Sequence, residues 1–248
     1  MAHKRRDTKL PAPYLQRVFL NDPDAPRPDQ YPFDLPWLDA AFELTFDTPV
    51  TILVGENGSG KSTLLESIAV LAGFSTSSRG AWSGATSTAG LEGSAALAGR
   101  LRGAWLPKVQ QGWFLKAQSF AAVADVTVGG YLSQSHGEGF AAMIQDRMTG
   151  QGIFLLDEPE AALSPRKQAE LLAFLAEIQE DASAQVIMAT HSPILMAVPK
   201  ATLLRLTHRG ITRVGLRETE HFSLWASFAA DPDGFVQSAC NGELDLLT

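Results

Sequence analysis

The sequence predicts an α/β fold built on a mostly parallel central sheet. Two short apolar runs, residues 153–156 and 185–190, have few polar interruptions, which is typical of strands buried on both faces of a parallel sheet. A third β-rich run, Val50–Val54, leads through a glycine-rich turn into a helical pattern over residues 64–71. An antiparallel β portion is expected from two runs that His208-Arg209-Gly210 separates, at 203–206 and 211–216.

The other elements are predicted from periodicity and from turn and capping residues. Ser164-Pro165 favours a helix start, with Ser164 as the N-cap and Pro165 in the first turn. Residues 73–104 are rich in Gly, Ser, Ala and Thr, and are predicted to form a long loop with one short helix near 91–101. The remaining predictions are strands at 15–20, 41–46 and 112–117, a small helical subdomain at about 119–148, and a helical tail after Glu218.

Bulk properties limit the class of protein. The chain has 248 residues, 45% hydrophobic and 19% charged, which suits one large domain over residues 1–248. The net charge of −7 argues against a molecule built as a whole to bind nucleic acid. Cys240 is the only cysteine, so no intramolecular disulfide can form, and no run of about eighteen apolar residues predicts a membrane span. We therefore expect a cytoplasmic protein that is not inserted in a membrane.

Residues 55–63, Gly-Glu-Asn-Gly-Ser-Gly-Lys-Ser-Thr, fit the phosphate-binding pattern G-x-x-x-x-G-K-[ST] between a strand and a helix. Such a turn gathers backbone N–H groups at a helix N-terminus, where they close around a phosphate anion. Lys61 is placed to reach the β- and γ-phosphates, and the Ser62 hydroxyl to ligate Mg²⁺. The pattern predicts a nucleoside triphosphate site whose contacts are Glu56, Asn57, Gly58, Ser59, Gly60, Lys61, Ser62 and Thr63.

Two carboxylates follow the apolar strand at 153–156. Because ligands of open α/β sheets gather at the carboxyl ends of strands, Asp157 and Glu158 are expected beside the phosphate loop. Asp157 is predicted to hold Mg²⁺ and Glu158 to polarise the attacking water as a general base. His191 and Gln118 each follow another strand, so we expect His191 to contact the γ-phosphate and Gln118 to reach Mg²⁺ or the water.

These segments together resemble an ABC-type ATPase domain, within the P-loop NTPases, in their order and rough spacing from about residue 42 to 216. More narrowly, three runs resemble small stand-alone prokaryotic ATPases that are similar to the head domains of DNA-repair and chromosome-structure ATPases: residues 135–140, residues 160–165 and Thr190-His191-Ser192-Pro193. The resemblance implies an ABC-type ATPase core, ATP and Mg²⁺ as cofactors, and hydrolysis by water.

In that family, two copies sandwich two ATP molecules, and each phosphate loop faces a signature segment of the other copy. The matching segment here is Ser135, His136 and Gly137, and a hydroxyl, a glycine N–H and a helix N-terminus together favour a γ-phosphate. The resemblance therefore implies an ATP-dependent homodimer that acts on an unknown protein partner. Two residues depart from the family pattern: Glu138 replaces the usual Gln, and Ser164 the usual Asp.

Several alternatives stay open at this point. The chain could be the nucleotide-binding subunit of a transporter, or a low-turnover switch that dimerises on ATP. Local basic patches leave a nucleic-acid partner as a further hypothesis, and its candidate residues are Arg205, Arg209, Arg213 and Arg217. Candidates for adenine stacking are Tyr14 and Tyr31, with Arg17 as a cation–π alternative.

Overall fold

The computed structural model describes residues 10–74, 88–117, 144 and 146–244. The strands are β1 (Leu15–Leu20), β2 (Glu43–Thr45), β3 (Val50–Val54), β4 (Leu101–Trp105), β5 (Gly112–Lys116), β6 (Ile153–Asp157), β7 (Gln185–Ala189), β8 (Thr202–Thr207) and β9 (Gly210–Val214). The α-helices are α1 (Lys61–Ala72), α2 (Thr88–Arg100), α3 (Pro165–Asp181), α4 (Pro193–Met196), α5 (Glu220–Ala230) and α6 (Pro232–Asn241). Two 3₁₀ turns cover Pro159–Ala162 and Leu216–Glu218.

The central sheet has the strand order β5-β6-β7-β3-β8-β9. Its first five strands run parallel, and β9 returns antiparallel to β8 as the predicted hairpin. Every residue of β3, β6 and β7 is buried, because helices cover both faces of the sheet. The predicted α/β class with a mostly parallel sheet and an antiparallel portion is confirmed.

Alternate side chains of the central strands feed two apolar cores. Leu53 of β3 packs in one core with the α1 residues Leu64 and Leu65, while Ile52 packs in the other with Leu171 of α3. This alternation is the period of two expected of a strand. Helix α1, which follows the glycine turn, is therefore fixed against one face of the sheet.

A second, three-stranded sheet has the order β2-β1-β4, and all its pairs are antiparallel. The buried amide of Gln185 ties it to the central sheet: its Oε1 accepts from the N–H groups of Tyr14 and Leu15 at 2.9 and 2.8 Å, and its Nε2 donates to the Leu15 carbonyl. The side chain of one β7 residue thus satisfies three backbone groups at the start of β1.

The region predicted as a loop over 73–104 contains more regular structure than its composition suggests. Helix α2 begins at Thr88, earlier than expected, and residues 101–105 form strand β4 rather than loop. Only Leu101 of β4 is fully buried, so the strand lacks apolar alternation, and it forms because β1 supplies its hydrogen-bond partners. The loop prediction for 101–104 was therefore wrong.

The capping prediction at Ser164 is confirmed. The Ser164 hydroxyl accepts from Lys167 N at 3.4 Å at the start of α3. The tail forms α5 and α6, and within the described residues neither helix contains a buried side chain.

The predicted helical subdomain at about 119–148 lies almost wholly outside the described residues. In the part of the chain that is described, no helix combines the length and apolar character needed to cross a bilayer.

Candidate functional site

The turn at residues 55–60 joins the end of β3 to the start of α1. Gly55, Gly58 and Gly60 all have positive φ, at 146°, 81° and 89°, which favours glycine. A Cβ at Gly55 would lie 2.4 Å from the carbonyl oxygen of Leu206, so this residue must also be small for β8 to pack beside the turn. The turn is therefore built to keep its backbone exposed to a ligand.

Trp37 packs against this turn, and no sequence motif indicates it. Its indole N–H donates to the carbonyl of Ser59 at 2.7 Å. A Cβ at Gly60 would meet the Trp37 ring at 3.0 Å and Leu35 Cδ2 at 2.9 Å. Nothing local in the sequence predicts the contact, because it joins the loop to an irregular segment that precedes β2.

The first turn of α1 is available to an anion. Its N-cap is Gly60, and among the described residues no side chain caps the helix. The Ser59 hydroxyl is buried and has no hydrogen-bond partner in the described part of the chain. Free helix N–H groups and an unpartnered hydroxyl at one turn fit an anionic group such as phosphate.

Lys61 is folded back into the turn that it follows. Its Nζ donates to the carbonyl of Gly55 at 2.7 Å and to that of Glu56 at 3.0 Å, and the residue is 5% exposed. Burial lowers the pKa of Lys61, while the carboxylates of Glu158 and Asp157 act in the opposite direction. The ammonium is thus held beside the turn by acceptors that a phosphate oxygen could replace.

Ser62 and Asp157 come together although they lie far apart in the sequence. Ser62 Oγ donates to Asp157 Oδ1 at 3.0 Å, and Asp157 is 1% exposed at the carboxyl end of β6. Burial raises the pKa of Asp157 to about 6, although Lys116 and the Ser62 hydrogen bond both favour its ionised form. A hydroxyl and a carboxylate are hard oxygen ligands of the type that Mg²⁺ prefers.

Lys116 is a second cation beside Asp157, and no sequence motif indicates it. Its Nζ lies 3.0 Å from Glu66 Oε1 of α1 and 3.7 Å from Asp157 Oδ2. Burial lowers the pKa of Lys116, but Glu66 and Asp157 raise it by more, so the net shift is upward. Ser94 of α2 donates to the other oxygen of Glu66 at 2.6 Å and completes a buried chain of polar groups.

Glu158 follows Asp157 with a left-handed backbone, at φ 49°. This conformation is unusual for a residue with a side chain, and it is held by the Glu158 N–H, which donates to the carbonyl of Ala189 at 2.9 Å. It brings Glu158 Oε1 to 3.9 Å from His191 Nε2, at the end of the neighbouring strand. The general-base candidate and the γ-phosphate candidate therefore lie side by side.

Glu160 fixes the turn that carries His191. Its Oε1 accepts from the His191 N–H at 2.5 Å and its Oε2 from the Thr190 hydroxyl at 2.7 Å. Burial raises the pKa of Glu160, and these two hydrogen bonds oppose that rise. The position of Glu160 in the same acidic segment as Asp157 and Glu158 is the sequence signal for this role.

His191 has one nitrogen bonded and one unbonded. Its Nδ1 lies 2.8 Å from Nε2 of His221, at the start of α5, and its Nε2 is buried without a hydrogen-bond partner among the described residues. Burial, and then the positive charge of Lys61, lower the pKa of His191. No sequence pattern indicates His221, because only the tertiary fold brings the tail beside the sheet edge.

A cleft of about 530 Å³ runs along the phosphate turn toward the β8–β9 hairpin. Its walls include the turn itself, Arg205, Arg209, Glu220 and His221. Two of the four arginines proposed as a basic patch therefore face the candidate site. The other two are engaged elsewhere: Arg213 ion-pairs with Asp47 at 3.6 Å, and Arg217 lies over the ring of Phe222.

The three candidates for adenine stacking differ in their exposure and contacts. Tyr14 is 1% exposed and its hydroxyl donates to the Ser183 carbonyl, so the prediction that it stacks on a base was wrong. Tyr31 is exposed, and its hydroxyl contacts the hydroxyl of Thr63 in the phosphate segment. Arg17 pairs with Glu43 and lies over Phe19.

Several predicted site residues lie outside the described residues. They are Gln118, Ser135, His136 and Gly137, and the departure at Glu138 lies outside them as well. The described part of the chain has no group of three or more His, Cys, Asp or Glu side chains that could hold a metal ion by itself. A cation held by Ser62 and Asp157 would therefore need further ligands from a bound molecule or from water.

Two family profiles match separate segments of the chain. The family described as "AAA domain" matches residues 36–91, which include the phosphate turn. The family described as "AAA domain, putative AbiEii toxin, Type IV TA system" matches residues 139–197, which include Asp157, Glu158 and His191. The matched segments thus contain both halves of the candidate site.

Curated relatives and solved structures were also found. The Thiamine import ATP-binding protein ThiQ of Cereibacter sphaeroides is 45% identical over 56 residues, which are 23% of this chain and 24% of that protein. ThiQ of a Chelativorans strain is 49% identical over 43 residues, which are 17% of this chain and 18% of that protein. The matches therefore span about a quarter of these relatives or less.

Among solved structures, cbiO1 of Clostridium perfringens, described as part of the ABC transporter complex cbiONQ, is 15% identical over 91% of this chain and 99% of that chain, with a TM-score of 0.47. The SMC head domain from Thermotoga maritima is 13% identical over 82% and 99%, with a TM-score of 0.46. The matched segments are thus similar to AAA domains and to ATP-binding proteins, which agrees with the predicted resemblance to P-loop ATPases.

Proposed function

We propose that this chain binds Mg-ATP at the turn between β3 and α1 and hydrolyses it by attack of water on the γ-phosphate. The observation that carries the proposal is the meeting of four groups at one sheet edge. Ser62 bonds Asp157 at 3.0 Å, and Glu158 lies 3.9 Å from His191 at the end of the next strand. The similarity to AAA domains and to ATP-binding proteins supports nucleotide binding.

Binding begins with an exchange of partners at Lys61. The Nζ of Lys61 is held by two loop carbonyls, those of Gly55 and Glu56. The β- and γ-phosphates would take over these hydrogen bonds, since an anionic oxygen is a stronger acceptor than a neutral carbonyl. The free N–H groups of α1 and the buried hydroxyl of Ser59 would donate to the same phosphates.

Ser62 and Asp157 would hold Mg²⁺, and the described residues fit that role. Asp157 is buried, its charge is only partly balanced by Lys116 at 3.7 Å, and Ser62 already lies against it. When bound, the metal would neutralise charge on the phosphate oxygens. Gln118, which lies outside the described residues, remains a proposed further ligand.

Glu158 would accept the proton of the attacking water, and His191 would hydrogen-bond to the γ-phosphate. The Glu158 carboxylate takes a proton from the attacking water. The water oxygen bonds to the γ-phosphorus as the bond from the γ-phosphorus to the β–γ bridging oxygen breaks. His191 donates from Nε2 to the γ-phosphate, since this nitrogen is buried, unbonded among the described residues and directed toward Glu158. The products are ADP and inorganic phosphate.

We also propose that two copies close around two nucleotides, with Ser135, His136 and Gly137 of each copy facing the phosphate turn of the other. What supports this is the resemblance to the ABC type. We further propose a cytoplasmic location and an unknown protein partner that the cycle drives.

The experiment that tests the function is the solution mass and turnover of Glu158→Gln, with and without Mg-ATP. We expect ATP binding to persist, turnover to fall by about a hundredfold or more, and the mass to double only with Mg-ATP. Glu177→Gln is the matched control, since it makes the same change at an exposed position of α3. It should behave as the wild type in every measurement.

The outcomes separate the parts of the proposal. Wild-type turnover in Glu158→Gln would remove Glu158 as the base. A monomer in both conditions would remove the nucleotide sandwich and favour a subunit that dimerises only with its partner. No ATP turnover in the wild type, with binding intact, would favour a low-turnover switch.

A further inference from the structure

His221 occupies a defined place beside the candidate γ-phosphate residue. Thr219, which is 1% exposed, caps α5 by accepting from Phe222 N at 3.3 Å, and so sets the direction in which the helix starts. This places His221 Nε2 at 2.8 Å from His191 Nδ1, with 5.0 Å between the ring centroids. Two half-buried imidazoles from distant parts of the chain therefore share one hydrogen bond.

The state of this hydrogen bond decides what His191 can do at its other nitrogen. A neutral imidazole carries one proton, so one ring nitrogen donates and the other accepts. Burial and the charge of Lys61 lower the pKa of His191, while Glu158 and Glu56 oppose this shift. Burial also lowers the pKa of His221, so the shifts of both rings favour the neutral form.

Only one arrangement lets a neutral His191 donate to a γ-phosphate. The proton must be on Nε2, the nitrogen that faces Glu158 at 3.9 Å and has no hydrogen-bond partner among the described residues. Nδ1 must then accept, and the group opposite it must donate. In this structure that group is Nε2 of His221.

We propose that His221 is a positioning residue whose Nε2–H donates to Nδ1 of His191 and thereby holds the proton of His191 on Nε2. The role at the γ-phosphate rests on the proposed function, whereas the tautomer itself is a property of the nucleotide-free chain. His221 acts through His191 and does not contact the reacting atoms. The residue that orients the histidine thus comes from the tail helix, not from the sheet.

Two substitutions separate hydrogen bonding from packing. His221→Phe keeps an aromatic ring and removes the donor. His221→Gln keeps an N–H donor on a side chain of similar reach. Ser223→Ala, on the same helix, controls for disturbance of α5.

The first measurement is the tautomer of His191 in the full-length chain, read from the ¹⁵N shifts and couplings of labelled imidazole rings at pH 7.5 without nucleotide. We expect the proton on Nε2 in the wild type, in Ser223→Ala and in His221→Gln. We expect a mixture of tautomers in His221→Phe. A wild-type proton on Nδ1, or a tautomer that does not change in His221→Phe, would overturn the proposal.

The second measurement is the steady-state kinetics of ATP hydrolysis. For His221→Phe we expect kcat to fall by about tenfold, the size of one lost hydrogen bond, with KM for ATP within about twofold of the wild type. His221→Gln should recover most of that loss. A His221→Gln enzyme as slow as His221→Phe would overturn the role of the donor.

The proposal and the proposed function can fail separately. A wild-type chain that does not hydrolyse ATP would overturn the function, while the spectra would still report the tautomer in the absence of nucleotide. A mixture of tautomers in His221→Phe with unchanged kcat would overturn the link between the His221 hydrogen bond and turnover.

Discussion

Two helices reach the candidate site from opposite ends of the chain, and the fold holds them in different ways. Nine of the twelve residues of α1 are buried, including Lys61 at its start. Helix α5 has no buried residue among those described, and its Trp225 is 61% exposed. The phosphate turn is therefore fixed by the core, whereas His221 is placed by a helix cap and a few polar contacts. The packing that stabilises α1 also positions the phosphate turn, whereas the contacts that position His221 contribute little to the packing of α5.

The strongest test of this difference is a truncation inside α1. Leu65 is fully buried in the core that joins α1 to the sheet, so Leu65→Ala should lower the free energy of unfolding by about 2–5 kcal/mol. Nucleotide affinity should fall with it, because the same packing orients the phosphate turn. Denaturant unfolding and calorimetric titration with ATP measure the two effects. A change below about 1 kcal/mol would contradict the assignment of α1 to the core.

Lys61→Ala addresses the binding function of the same helix. The ammonium forms two hydrogen bonds within the turn that we propose to be transferred to phosphate oxygens. Loss of such charge-assisted bonds should weaken ATP binding by about a hundredfold or more. Titration calorimetry checks this, with Lys200→Ala, a change of an exposed lysine that pairs with Glu180, as the control. Unchanged affinity would exclude a phosphate contact at Lys61.

Asp157→Asn should raise the stability of the chain near the phosphate turn, in a way that depends on pH. Burial raises the pKa of Asp157 from 3.8 to about 6, so folding favours its protonated form and the wild type loses stability as the pH rises through this range. Without metal or nucleotide, the variant should therefore be more stable at pH 7.5, by about 1–3 kcal/mol, with a smaller gain at pH 4.5. Thermal unfolding at both values measures this. A gain that is absent, or independent of pH, would contradict it.

The smallest effect is expected on the α5 side. Trp225→Ala removes a side chain that is mostly exposed and lines an apolar groove of about 630 Å³ with Ile194 and Phe222. The free energy of unfolding should change by no more than about 0.5 kcal/mol, in contrast with Leu65→Ala. Urea unfolding under identical conditions gives the comparison. A loss as large as that of Leu65→Ala would show that α5 is as firmly packed as α1.

Local patterns predicted most of the central sheet and the segments of the site. The glycine turn, the acidic end of β6 and the Ser164 cap are each encoded within a few consecutive residues. Three further groups act through contacts that join distant parts of the chain: Lys116 with Glu66, Trp37 with the phosphate turn, and His221 with His191. Strand β4 was missed for a similar reason, because its pairing with β1, rather than its own apolar pattern, makes it a strand.

The amide of Gln185 has a consequence for synthesis on the ribosome. It bonds backbone groups of Tyr14 and Leu15, which precede it by about 170 residues in the chain. At a translation rate of about 5–20 residues per second, roughly 10 to 30 s pass between the synthesis of Tyr14 and Leu15 and that of Gln185. Until then, among the described strands, β1 can pair with β2 and β4, and the backbone groups at its start lack the Gln185 amide. The start of β1 is therefore completed only after Gln185, made much later, has joined the central sheet.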